Sequence, residues 1–159
     1  MKILVPILLA LFLTETDHVG VAQERLTVLN KIEAGVKEHQ PTWKLLKKNS
    51  TRAGDYVAYD WKVGKSSIDL LLAFVASKDA ASELIKLLHM DYEVFGLPMK
   101  FTETQLQLGD ETRAWEHSSD RRYSGIMLRK GKVVANISGT NKEDISRFAS
   151  QLAELLPPE

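Results

Sequence analysis

The sequence predicts an α+β domain in which amphipathic helices pack against one antiparallel β-sheet. Its clearest strand signals lie at 126–129 and 133–137, which alternate between two faces around a turn that contains Gly131. A second pair of strand-like runs occurs at 56–63 and 68–76. Three further segments repeat apolar residues at helical spacing. With 159 residues, the chain is long enough for one domain with a substantial hydrophobic core.

The N-terminus has the layout of a signal peptide, with Lys2 followed by an uncharged apolar run at 3–13. This run is too short to span a bilayer, which takes about 20 residues. The small residues of Gly20-Val21-Ala22 predict cleavage before Gln23. We therefore expect a signal peptide at 1–22 and a single α+β domain at 23–159, in a periplasmic or secreted protein with no stable membrane span after cleavage. The alternative is that the apolar run is a buried strand or helix of the domain itself.

The mature chain begins with a predicted amphipathic helix at 23–39, which ends before Pro41. Residues 43–48 predict a short edge strand, in which several lysines protect an exposed sheet edge from pairing.

The run 56–63 has one apolar face and predicts a half-buried strand. The run 68–76 is apolar on both faces apart from Asp69. A strand of this kind is expected at the centre of a sheet, with its second face covered by a helix or closed by another subunit.

A second helix is predicted to begin after the N-cap Ser77 and to end at Gly96 and Pro98. Its apolar stripe consists of Ala81, Leu84, Ile85, Leu88, Tyr92 and Phe95.

Short strands are predicted at 105–108 and at 113–116, the latter with Arg113 and Trp115 on one face. The last helix is predicted from the capping-box spacing of Thr140 and Glu143, and Pro157 and Pro158 terminate it.

The two halves of the chain follow the same order of strand, turn, strand and helix. Apolar residues of 70–74 match those of 133–137, and those of 81–88 match 145–152. An internal repeat of a hairpin-helix unit is one explanation, and the frequency of this arrangement in α+β domains is another.

Composition excludes several classes of function. The chain has no cysteine, so it has no disulfide, thiolate nucleophile or cysteine-based metal site. Its 21 basic and 21 acidic residues give a net charge of zero, which provides no general attraction to nucleic acid. The histidines lack the spacing of a metal-ligand set, and no glycine-rich phosphate loop occurs. We predict no cofactor and no metal.

The segment 109–123 carries the densest group of polar and aromatic residues. Tryptophan, tyrosine and arginine dominate binding hot spots, although aromatic residues also favour half-buried sheet surfaces. The candidate ligand-binding residues are Arg113, Trp115, His117, Arg122 and Tyr123. The arginines would supply donors to an anion, and the aromatic residues would supply contact area.

Two motifs carry a resemblance to a known family. Leu108-Gly109-Asp110-Glu111 followed by Trp115, and then the segment 128–134 with Arg129-Lys130-Gly131-Lys132, resemble secreted or envelope-anchored bacterial domains of the PsbP-like type. The resemblance covers residues 108–156. It implies a noncatalytic binding or accessory module, although this chain lacks the lipid-attachment cysteine that is common in the group.

The leading hypothesis is an exported noncatalytic domain that recognises a protein or a small ligand. One alternative is a small hydrolase or transferase that uses His117 with Asp120 or Glu111. Another is an assembly protein that dimerises through the strand at 68–76. The sequence leaves both a monomer and a homodimer open.

Overall fold

The computed structural model describes residues 18–51, 55–94, 99–102, 104–120 and 122–157. Within them, helices and strands follow one another in the order α1 (His18–His39), β1 (Lys44–Ser50), β2 (Tyr56–Val63), β3 (Ser66–Phe74), α2 (Lys78–Val94), β4 (Met99–Thr102), β5 (Glu111–His117), β6 (Ser124–Lys130), β7 (Val133–Gly139) and α3 (Lys142–Leu155). The strands form one seven-stranded sheet in the order β1-β2-β3-β7-β6-β5-β4. Every neighbouring pair is antiparallel, which confirms the predicted α+β class.

The two predicted hairpins form the middle of this sheet. β2 pairs with β3, β6 pairs with β7, and β3 pairs with β7 at the centre, where Leu70 lies opposite Ile137. Gly64 and Gly131 occupy the hairpin turns with φ values of 59° and 56°. This left-handed conformation is accessible to glycine at little steric cost. The prediction of a central strand at 68–76 is therefore confirmed for β3.

One face of the sheet packs against α1 and α3, and we call it the α1/α3 face. Alternation places one set of apolar strand residues on it, and these are Val57, Tyr59, Trp61, Ile68, Leu70, Leu72, Phe74, Ile126, Leu128, Val133, Ala135 and Ile137. Trp61 and Phe148 of α3 meet edge to face, with ring centroids 5.5 Å apart. This is the main hydrophobic core of the domain.

The opposite face, called the α2 face, has a smaller core. Ala73, Met127 and Val134 of the sheet pack there against α2, which contributes Ala81, Leu84 and Ile85. The cover is partial, because Leu71 remains half-buried on this face. The expectation that both faces of 68–76 are covered thus holds only near its C-terminal end.

The helices do not support the predicted repeat. α2 follows the β2–β3 hairpin and packs on one face, whereas α3 follows the β6–β7 hairpin and packs on the other. A two-fold relation between the antiparallel strands β3 and β7 would place both helices on the same face. The repeat of the hairpin-helix unit is not confirmed.

The region between α2 and β5 differs from the prediction. The strand lies at Met99–Thr102, where Phe101 is opposite Trp115, and not at 105–108. Threonine hydroxyls bind the backbone there instead, because Thr104 Oγ1 accepts from the amide of Leu106 at 3.1 Å. The predicted stop of α2 at Gly96 and Pro98 lies outside the described residues.

The start of α3 also differs from the prediction. The N-cap is Asn141, whose side chain accepts hydrogen bonds from the amides of Glu143 and Asp144. Thr140, the N-cap that the capping-box spacing predicted, instead bonds to β3, because its amide donates to the carbonyl of Ser67 at 3.4 Å. Helix formation therefore begins one residue later than the spacing of Thr140 and Glu143 indicates.

The assignment of Asn141 as the N-cap of α3 can be tested by substitution. Asn141→Ala should lower the free energy of unfolding by about 1 kcal/mol, because two amides of the first turn lose their acceptor. Thr140→Ala is the matched control and should have a clearly smaller effect in urea denaturation. The reverse order of the two effects would restore Thr140 as the cap.

The predicted signal peptide lies largely outside the described residues. Residues 1–17 are not described, and 18–22 are part of α1. Among the described residues, no helix combines the length and hydrophobicity that are needed to cross a bilayer. Cleavage before Gln23 stays a prediction.

Candidate functional site

The residues predicted to bind a ligand lie close together on the α2 face and in the loop beside it. Arg113, Trp115 and His117 alternate along β5 and share that face. Tyr123 reaches the same face from the start of β6, and its carbonyl accepts from the amide of His117 at 2.9 Å. Arg122 lies in the loop between the two strands. The chain does bring these residues together, but their surroundings give them different roles.

Trp115 is a packing residue. Only 2% of it is exposed, and its indole Nε1 donates to Asn136 Oδ1 at 3.1 Å. Its ring also packs against Tyr123, with centroids 5.9 Å apart. Of the two roles considered for Trp115, binding area and sheet packing, the structure supports packing.

His117, Asp120 and Arg122 form a local cluster in the β5–β6 loop. His117 Nδ1 accepts from the backbone amide of Asp120 at 3.0 Å and lies 3.1 Å from Ser119 Oγ. The Asp120 carboxylate accepts from Nε of Arg122 at 3.0 Å and from its NH2 nitrogen at 3.2 Å. These hydrogen bonds from Arg122 lower the pKa of Asp120.

This arrangement provides no catalytic pair for the hydrolase alternative. The carboxylate of Asp120 is bound to Arg122, and that of Glu111 accepts from Ser82 and Arg129, each at 2.8 Å. Neither carboxylate bonds to His117, so the geometry that orients a histidine base is missing among these three residues. Although 84% of the Arg122 side chain is exposed, its guanidinium already forms an ion pair with Asp120.

A polar cluster that the sequence analysis missed lies beside Tyr123. The Tyr123 hydroxyl donates to Asp69 Oδ2 at 2.8 Å and lies 3.2 Å from Ser138 Oγ. Asp69 and Ser138 are opposite each other on β3 and β7, and Asp60 of β2 is opposite Asp69. The only sequence signal for this cluster was the position of Asp69 in an otherwise apolar run.

Burial dominates the electrostatics of the cluster. It raises the pKa of Asp69, a shift opposed by the hydrogen bond from Tyr123 and increased by the charge of Asp60. Burial likewise raises the pKa of Tyr123 to about 12. Asp69 therefore holds its proton more tightly in the folded state than in the unfolded chain.

The raised pKa of Asp69 predicts a pH dependence of stability. The unfolded carboxyl group, with its ordinary pKa of 3.8, loses its proton first as the pH rises. Stability is therefore lost between that value and the raised pKa of the folded state. Asp69→Asn should remove this loss, and its amide oxygen can still accept from Tyr123.

Urea denaturation of both proteins across the acid range provides the measurement. The stability of the wild type should fall relative to that of Asp69→Asn as the pH rises from the ordinary carboxyl pKa of 3.8 through the raised pKa of the folded state. Asp60→Asn should reduce the effect without abolishing it, because it removes only the charge that raises the pKa further. Parallel stability curves for wild type and Asp69→Asn would contradict the assignment.

Arg113 lines an open depression of about 320 Å³ at the corner where β4 ends and β5 continues. The other lining residues are Phe101, Thr102, Thr104 and Thr112. Arg113 is half-buried and makes no hydrogen bond or ion pair with the residues that the structure describes, although its positive charge interacts with Glu111. Arg129, its neighbour on the same face, is bound to Asp110 at 2.7 Å and to Glu111 at 2.8 Å.

The second depression lies between α2 and the sheet. Its lining is mostly apolar and includes Tyr56, Leu71 and Leu88, but its volume of about 10 Å³ is no larger than a water site. The described residues contain no group of three or more acidic or histidine side chains that could hold a metal ion. The Arg113 depression is thus the best candidate for ligand binding.

Comparison with known proteins gives one similarity of fold. No family model matches the chain. None of the curated proteins matches it significantly. The fold is similar to that of the extracellular domain of PknH from Mycobacterium tuberculosis, with 7% sequence identity and a TM-score of 0.50. The similarity covers 79% of this chain and 89% of that domain, and at this identity it concerns the fold alone.

Proposed function

We propose that this chain is a noncatalytic recognition domain of an exported protein, and that it binds a ligand with a carboxylate or phosphate group at Arg113. The signal-like segment at 1–22 supports export. The extracellular origin of the structural neighbour agrees with it. The observation that carries the proposal is the half-buried Arg113, which makes no hydrogen bond or ion pair with the described residues and lines an open depression.

The chemistry of the lining favours an anion. Thr104 Oγ1 and Thr112 Oγ1 each accept a hydrogen bond from a backbone amide, at 3.1 Å and 3.0 Å. Each hydroxyl therefore keeps its own proton for donation to a ligand. The guanidinium can only donate, and the lining of the depression therefore offers hydrogen-bond donors of the kind that bind carboxylate or phosphate oxygens.

Phe101 indicates which group the ligand carries next to its anionic group. It is half-buried and packs against the α2 core, so one part of its ring borders the depression. A ligand with an apolar or aromatic group next to its anionic group would contact both Phe101 and Arg113. This combination distinguishes the proposed ligand from a free inorganic ion.

The test uses benzoate and inorganic phosphate as probes in NMR titrations of the isotope-labelled chain. Benzoate should shift the amide signals of Thr102, Thr104, Thr112 and Arg113, and phosphate should shift them more weakly. Arg113→Ala should reduce the affinity for benzoate by at least about tenfold, because a charge-assisted hydrogen bond is lost. Arg113→Lys should restore only part of the affinity, since lysine lacks the planar guanidinium.

Arg122→Ala is the matched control, because it removes an exposed arginine from the loop that follows the same strand and should leave the affinity unchanged. Equal losses for the two alanine variants would indicate general electrostatic attraction. Shifts that occur only around His117 and Arg122 would move the site to the loop. The PsbP-like resemblance of residues 108–156 agrees with this class of function and stays a prediction.

A further inference from the structure

The edge strand β1 is exposed along its whole length and presents two neighbouring leucines. Leu45 is 48% exposed and Leu46 is 63% exposed. The register with β2 shifts between Leu45 and Lys47, so Leu46 has no partner residue on β2. A bulge of this kind re-aims side chains at a sheet edge and interrupts pairing.

Exposed lysines flank these leucines along the edge, where pairing with β2 places Lys44, Lys47 and Lys62 on the α2 face and Leu45, opposite Trp61, on the α1/α3 face. Lys44 and Lys47 lie on β1, Lys62 is directly opposite Lys44 on β2, and Lys65 is in the following turn. None of the four has an ion pair or hydrogen bond within the described part of the chain. We call these four lysines together with Leu45 and Leu46 the β1 corner.

The charges of the β1 corner lack compensation. Lys44 and Lys62 are like charges on paired positions, which is an unfavourable arrangement in a sheet. Asp60 is opposite Lys47, but no ion pair joins them. Lys48, by contrast, binds Glu33 at 2.5 Å. The corner would therefore gain from contact with an anionic surface.

The local geometry argues against an added strand as the partner. Lysines on an edge strand oppose edge-to-edge pairing, and the bulge interrupts the row of backbone groups that another strand would need. Leu45 and Leu46 are exposed to solvent at this edge. A deformable surface that accepts exposed apolar side chains while attracting cations is the surface of an anionic lipid bilayer.

We propose that the β1 corner docks the domain onto a membrane surface that contains anionic lipids. Leu45 and Leu46 enter the boundary between headgroups and acyl chains, and the four lysines contact the lipid phosphates. The contact is peripheral, and it is independent of the proposed site at Arg113, which lies at the other edge of the sheet.

The test is co-sedimentation of the full chain with vesicles of phosphatidylcholine, and with mixed vesicles of phosphatidylcholine and phosphatidylglycerol. The wild type should prefer the mixed vesicles and should dissociate from them in high salt. Each lysine near an anionic surface contributes roughly a fivefold change in partition. The double variant Lys44→Glu, Lys62→Glu should therefore lower the partition by at least about tenfold, and Leu45→Ser with Leu46→Ser should lower it as well.

Matched controls are available elsewhere in the chain. Lys37→Glu with Lys132→Glu makes the same change in net charge, and Leu26→Ser removes another exposed leucine. Both should leave the partition unchanged. Equal losses in the control variants would overturn the proposal.

Other outcomes would also overturn the proposal. The chain could bind both kinds of vesicle equally, with no effect of any β1 substitution. That result would assign the membrane affinity to the apolar residues 3–13. A wild type that does not sediment with mixed vesicles, but binds polyglutamate through Lys44 and Lys62, would identify an acidic protein as the partner.

Discussion

Replacement of Trp115 by alanine should lower the free energy of unfolding by about 3–5 kcal/mol, the cost of removing a large buried aromatic side chain. The substitution would leave a cavity beside Tyr123 and would deprive Asn136 of the indole donor. Trp115 connects β5 to β7 across the intervening strand β6, so its loss weakens the sheet over three strands. The measurement is urea denaturation followed by circular dichroism.

Trp115→Phe is the matched control for this prediction. It keeps much of the apolar surface and loses the hydrogen bond to Asn136, so its effect should lie between those of the wild type and Trp115→Ala. A Trp115→Ala variant that keeps its stability and loses the benzoate shifts would show that Trp115 is a binding residue. That result would also contradict the packing role inferred from its burial.

Replacement of Gly125 by alanine should be almost as damaging, with a loss of at least about 3 kcal/mol. A Cβ atom at position 125 would stand well inside contact distance of Cε2 and Cζ2 of Trp115. It would also lie 2.6 Å from the carbonyl oxygen of Ile137, which belongs to the backbone of the central strand β7. A buried ring and a paired backbone can be displaced only at a substantial cost in free energy.

Gly64→Ala separates this effect from the general cost of replacing a glycine. Gly64 has a φ of 59°, and no atom lies within 4 Å of the point that an added Cβ would occupy. Only backbone strain of about 1–2 kcal/mol therefore opposes the substitution. Urea denaturation of the two variants should rank Gly125→Ala as clearly less stable.

A double variant tests the same contact from both sides. Combining Gly125→Ala with Trp115→Ala should cost less than the sum of the two single effects, because both substitutions act on one contact. Equal effects at positions 125 and 64 would contradict the packing argument.

The candidate site was predictable in part. Alternation along β5 placed Arg113 and Trp115 on one face, and the structure has them there. Sheet packing was one of the two roles that the sequence indicated for Trp115, and its burial agrees with that role. The pairing of Arg122 with Asp120 was not predictable, because it depends on how the loop folds. Hot-spot composition indicated all five residues, and among them Arg113 is the one whose half-buried side chain makes no hydrogen bond or ion pair with the described residues.

The polar cluster at Asp69 was likewise not predictable from the sequence. Asp69 and Tyr123 are separated by 54 positions, and Ser138 lies on a third strand. The proximity of these residues follows from the pairing of β3 with β7, which local sequence does not encode. A single charge in an apolar strand was the available signal, and it identified an unusual position without naming its partners.

Local pattern by itself determined the two central hairpins, α2, α3 and the residues that share each strand face. The reason is that periodicities of two and 3.6 residues act over one element. Tertiary structure alone decided the order of the strands, the opposite placement of α2 and α3, the start of α3 at Asn141 and the exposure of Arg113. Each of these depends on contacts between elements that are distant in the chain, since periodicity defines an apolar face but does not specify which element covers it.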